Sequence, residues 1–136
     1  MKRFSALAAV CSVVCSLALL SVFLAFPAHN VNAQQYSACN GGTSATPSCQ
    51  SSASGIVSIA AAAQTVVVST TAVQATNPII LTYDQSLGTA LGVTCNTTAQ
   101  QPYVSARVTG VSFTIKTGST FTTNPGCINF LVVQNQ

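Results

Sequence analysis

Beyond an apolar leader, seven side chains of this sequence could do ionic or sulfur chemistry: Asp84, Arg107, Lys116, Cys39, Cys49, Cys95 and Cys127. General acid–base catalysis needs a positioned proton carrier, most often histidine or a carboxylate. Asp84 is the only acid in the chain, and the only histidine, His29, falls within the leader. A serine nucleophile would need a base beside it. No serine sits in a Gly-x-Ser-x-Gly turn. We therefore expect no enzyme and assign no catalytic residue, no cofactor and no metal ligand.

Asp84 follows Tyr83 and precedes Gln85-Ser86-Leu87-Gly88. A carboxylate in that setting accepts local backbone N–H bonds as a turn. A calcium site needs six to eight oxygens, typically several from carboxylates, and one carboxylate does not supply them. Arg107 and Lys116 against Asp84 leave the exported part nearly neutral, without the basic patch that nucleic-acid binding requires. A surface pair between either base and Asp84 would contribute only about 0–1 kcal/mol.

Four cysteines in a short exported chain read as two disulfides, with three connectivities open. Pairing Cys39 with Cys49 closes a short polar loop. Pairing Cys95 with Cys127 joins the end of one predicted strand to the start of another, and this is the favoured arrangement. Zinc is the rival reading, but no Cys-x-x-Cys pair exists. Asn96-Thr97-Thr98 matches the N-glycosylation acceptor pattern, which has meaning only in a eukaryotic secretory pathway. Tyr36, Tyr83 and Tyr103 could stack on a sugar, although packing within strands is their ordinary role.

The elements that must position these residues begin after the leader. Lys2 and Arg3, the uncharged run Phe4–Phe26, Pro27 and Val31-Asn32-Ala33 have the layout of a secretory signal peptide over residues 1–33. Cys11 and Cys15 are apolar filler within it. An uncleaved anchor is the alternative, because the run is about 20 residues long. With cleavage, no membrane span is expected, and the product is secreted or held at the cell surface. Residues 34–54 are rich in Ser, Gly, Thr and Gln and read as a flexible polar arm.

Residues 55–136 read as the folded domain. Seventeen Thr, 11 Val and 6 Ile against 4 Leu in the exported part favour strands over helices. Strands are expected at Ile56–Ile59, Gln64–Thr70, Ile79–Tyr83, Ala90–Thr94, Tyr103–Val108, Val111–Lys116 and Ile128–Val133. In the fifth, Val104, Ala106 and Val108 should share one face, with Ser105 and Arg107 on the other. In the sixth, Val111, Phe113 and Ile115 alternate with Ser112, Thr114 and Lys116. Seven short strands separated by turn residues predict an all-β fold, a single antiparallel β-sandwich. Phe113 and Ile80 are expected in its core.

The strand residues Gly55-Ile56-Val57-Ser58-Ile59, Val66–Val73, Ile79-Ile80-Leu81-Thr82, Gly110–Ile115 and Phe130–Val133 resemble a small β-module of phage virion and tail-fibre proteins and related bacterial secreted proteins. That resemblance implies a non-enzymatic module that associates into oligomers and carries a receptor-binding surface. The leader, the single copy and the cysteines depart from the pattern and favour a free-standing secreted or surface protein. Low charge leaves little repulsion between like chains, and Thr-rich edge strands can pair with another chain unless covered. The expected role is structural, adhesive or self-assembling, with a homo-oligomer, another surface protein or a glycan as partner. A monomeric module binding carbohydrate or another small ligand is the alternative.

Overall fold

The computed structural model describes residues 38–134, so the leader, His29 and Tyr36 lie outside the described residues. Seven strands form: β1 (Ala38–Asn40), β2 (Ser54–Ile59), β3 (Thr65–Ser69), β4 (Ile79–Tyr83), β5 (Tyr103–Val108), β6 (Ser112–Lys116) and β7 (Gly126–Val132). They make two sheets, ordered β1-β2-β7-β4 and β3-β6-β5. Every pairing is antiparallel except β1 with β2, which is parallel.

Alternation along the strands builds the core between the sheets. Val57 and Ile59 of β2, with Ile128, Phe130 and Val132 of β7, face Val66 and Val68 of β3 and Phe113 and Ile115 of β6. Phe113 and Phe130 meet edge to face at 5.4 Å between centroids, an arrangement aromatic quadrupoles favour. Phe121, from the loop before β7, fills the end of the core and stacks on Tyr83 at 6.0 Å. A Cβ on Gly126 would run into the buried Phe121 ring, so that position requires glycine.

The expected strand at Ala90–Thr94 is not one. Gln85–Leu87 forms a 3₁₀ turn that leads into a single α-helical turn, α1 (Gly88–Leu91). Asp84 caps the start, and Gly92 in the left-handed region (φ 70°) ends it. Leu87 and Leu91, four residues apart, pack with Val93 and Ile56 on the Cys95–Cys127 disulfide. Helical spacing and two caps override the β-propensity of so short a segment.

Four further expectations change. The described part of the supposed arm, residues 38–54, is packed on the sandwich: Cys39, Pro47, Cys49 and Ala53 are buried. Ile80, expected in the core, lies on the outer face of β4 and is 52% exposed. Its neighbours Ile79 and Leu81 take the inward side of the alternation and pack against the core. A bulge between Val104 and Ala106 resets the alternation of β5. Val104 stays opposite Ile115, but Arg107 falls opposite Phe113 and Val108 turns outward. Val111 leaves the strand for the turn, where its N–H donates to Val108 O at 3.0 Å.

Candidate functional site

The residues with ionic or sulfur chemistry are dispersed rather than gathered. Asp84 is half-buried, and its Oδ1 accepts from Ser86 N at 2.8 Å and Ser86 Oγ at 2.7 Å. These two bonds hold its carboxyl below the usual carboxylate range, and neither base is among the groups acting on it. Arg107 Nη1 instead donates to Asn77 O at 2.9 Å and Ala75 O at 3.3 Å, pinning the loop between β3 and β4. Lys116 is half-buried on β6, opposite both Tyr103 and Thr65.

All four cysteines of the domain are in disulfides, Cys39–Cys49 and Cys95–Cys127, with Cα separations of 5.2 and 5.7 Å. The favoured pairing is the one formed, and it leaves these cysteines no thiolate for a metal. Among the described residues, no group of three or more metal-ligating side chains exists. Asn96 is half-buried in an Asx turn. Its Oδ1 accepts from Thr98 N at 2.8 Å, and its Nδ2, the atom a glycan would modify, points to Asn124 O at 3.5 Å.

What the fold does gather is a contrast between sheet edges. On one side, residues 38–54 act as a strap. β1 extends the first sheet, and Ala45–Cys49 then runs along the outer edge of β3. Gln64, Val66, Val68 and Thr70 face β6, as Thr117 N→Gln64 O and Thr70 N→Val111 O show, so Thr65, Val67 and Ser69 direct their backbone groups outward. Two of those donors are met: Val67 N by Ala45 O at 3.2 Å and Ser69 N by Pro47 O at 3.0 Å. The strap also closes back on β3, with Cys49 N donating to Ser69 O at 2.8 Å. Buried hydroxyls fasten it from beneath, Thr70 Oγ1 to Ser52 O at 2.7 Å and Ser58 Oγ to Gly42 O at 2.8 Å.

The other side is open. Val133 N→Pro78 O and Asp84 N→Cys127 O frame β4, so Ile80 and Thr82 bond to β7 while Ile79, Leu81 and Tyr83 direct N–H and C=O away from it. Among the described residues, no backbone partner meets those groups. A groove of about 360 Å³ lies beside this edge, lined by Leu81–Tyr83 and Ala99–Pro102. Its only titratable side chain is Tyr83, whose hydroxyl donates to Asn96 O at 2.5 Å and is pushed up by burial. The outer face next to the edge is apolar, with Ile80 directly opposite Leu131 and Val133 beyond.

Sequence reasoning placed β4 but not its exposure. The available signal was Ile79-Ile80-Leu81-Thr82-Tyr83, an apolar run with no charge or proline to blunt an edge. The chain is an all-β protein of two packed sheets, locked by two disulfides. No known family model matches it, and no curated protein or solved structure does. Among the described residues, no helix is long and apolar enough to cross a membrane.

Proposed function

We propose that this protein is a non-catalytic, secreted or surface-displayed β-sandwich with a structural, adhesive or self-assembling role. The observation that carries this reading is the asymmetry of the sandwich. One side is partly covered by a disulfide-tied strap, while the other presents backbone groups with no backbone partner among the described residues beside exposed Ile80, Leu131 and Val133. Exposed strand edges pair with other chains, and apolar surface beside them adds to the gain. The groove next to β4 offers amides and hydroxyls but no acid or base suited to turnover near neutral pH. The two disulfides suit an oxidising, extracellular setting. The resemblance read from the strand residues to phage fibre modules implies association and agrees with this reading.

A second reading rests on the same groove. Tyr83, Gln100 and Gln101 line it, and an aromatic ring with amides is a combination that can take a sugar. Light scattering of the exported protein, run beside a glycan-binding screen, separates the two. A discrete oligomer or filament without glycan hits supports assembly. A monomer with a reproducible sugar ligand replaces that reading with the binding module.

A further inference from the structure

The four sheet edges are not equivalent, and the difference selects an occupant for one of them. β1 is three residues long, too short to template much pairing. The β3 edge is taken by Ala45–Cys49. β5 carries a bulge and Arg107, and bulges and charges both protect edges. β4 has five residues, no bulge, no charge and no proline, and its outward backbone groups have no backbone partner among the described residues.

We infer that β4 is the contact through which two copies of this chain join, pairing antiparallel with its own counterpart about Leu81. This deepens the assembly reading and rests on it. The geometry is self-complementary. The residues with outward backbone groups are Ile79, Leu81 and Tyr83, so a twofold axis at Leu81 pairs Leu81 with Leu81 and Ile79 with Tyr83 of the second copy. Each of these is a hydrogen-bonded pair. Ile80 then faces Thr82 across the seam on the outer surface. The two four-stranded sheets become one, with Ile80 and Leu131 of each copy flanking the join.

The charge pattern permits this. The nearest ionic group is Asp84, just beyond β4. In this register it lies opposite Pro78 of the second copy, so the two carboxylates sit six positions apart, roughly 20 Å along the strands. That exceeds the Debye length of about 8 Å at physiological salt. One strand pair is smaller than a standard interface of about 1,600 Å². The pair should therefore be reversible and depend on concentration.

The test uses the exported protein and two variants at exposed positions, Thr82→Lys and Ile80→Glu. Each is first checked for native circular dichroism and intact disulfides. In a Thr82→Lys pair the two ammonium groups fall on diagonal positions about 7–8 Å apart, and sedimentation equilibrium should show dimer affinity reduced at least about tenfold, or 1.4 kcal/mol. Ile80→Glu should behave likewise. An equimolar mixture of the two should dimerise again, because residue 82 of one chain faces residue 80 of the other. That rescue should fade in high salt. As a measurement independent of any variant, the Ile79, Leu81 and Tyr83 amides should exchange more slowly as wild-type concentration rises. An oligomer whose β4 amides stay unprotected, or which neither variant weakens, overturns the β4 contact and leaves the assembly reading standing. A wild-type chain monomeric up to about millimolar concentration overturns both.

Discussion

β3 and β4 are both five-residue edge strands, rich in β-branched residues, and each turns the backbone of alternate residues away from its sheet. One is met along part of its length by a neighbouring segment and the other is not. At β3 the outward Val67 and Ser69 amides find the carbonyls of Ala45 and Pro47, and the Cys39–Cys49 disulfide ties that segment to β1. At β4 the outward groups of Ile79, Leu81 and Tyr83 find no backbone partner among the described residues. An unpaired edge is a liability that folded proteins ordinarily manage. Here a polar stretch of low intrinsic structure manages it on one side only. The contrast marks the side on which we propose association, and no ionisable residue marks a side as sharply.

The comparison breaks most severely if the core shared by both sides is damaged. Phe113→Ala should cost about 3–5 kcal/mol, the usual range for a buried aromatic. Ile80→Ala, on the open face, should stay within about 1 kcal/mol because the side chain is half in water already. Chemical denaturation of the two variants gives both values. An equal loss in each would mean that Ile80 is packed after all.

The disulfides come next. On a chain-entropy basis, removing Cys95–Cys127, with a sequence separation of 32, should cost about 4 kcal/mol. Removing Cys39–Cys49, with a separation of 10, should cost about 3 kcal/mol. The two losses should differ in kind. Without Cys39–Cys49 the strap should lift, and the Val67 and Ser69 amides should lose their protection against hydrogen exchange. β3 would then behave as a second open edge, and association should exceed that of wild type. Protection retained at Val67 and Ser69 would mean that the strap holds without its bridge.

A smaller effect should follow from Thr70→Val, which removes the buried hydroxyl that donates to Ser52 O and accepts from Ala72 N. The expected loss is about 1–3 kcal/mol, the cost of leaving a buried group unsatisfied. Amides bonded to the strap should lose more protection than those of β4 or β7, and a uniform loss would contradict a fastening role.

The smallest expected effect is at Asp84. Its carboxyl pKa is lowered in the folded state by the two bonds from Ser86. That contribution is present above the unfolded value near 4 and fades as pH falls through the folded one. Asp84→Asn keeps a capping side chain, so stability at neutral pH should barely change. The acid sensitivity below about pH 4 should weaken slightly. Acid titrations of wild type and variant, followed by circular dichroism, resolve this.

Much of the architecture was legible from the chain. Period-two alternation in Val111–Lys116, apolar runs such as Val66–Val68 and Ile79–Tyr83, and the turn residues between them marked six of the seven strands. The cysteine pairing that forms is the one the loops favoured, with three connectivities open in the sequence alone. The errors came where local pattern and tertiary context disagree. Gly88–Leu91 was too short to separate helical from extended spacing before its caps were seen. The bulge in β5 shifted every later residue of that strand to the opposite face. Ala38–Asn40 has no apolar run of its own and becomes a strand only because β2 offers it an edge.

By itself, then, the composition determined that this is a β-rich domain with little ionic chemistry and an even set of cysteines. Those properties reside in residue types and in spacing along the chain. Which edge is sealed and which lies open was decided by tertiary structure alone. An edge is defined by what lies beside a strand in space, and hydrogen bonds from Val67 to Ala45 or from Ser69 to Pro47 join residues 22 positions apart. No local pattern encodes such contacts. They form because burying Cys39, Pro47, Cys49 and Ala53 carries the strap's backbone onto β3, and among the described residues nothing comparable is carried onto β4.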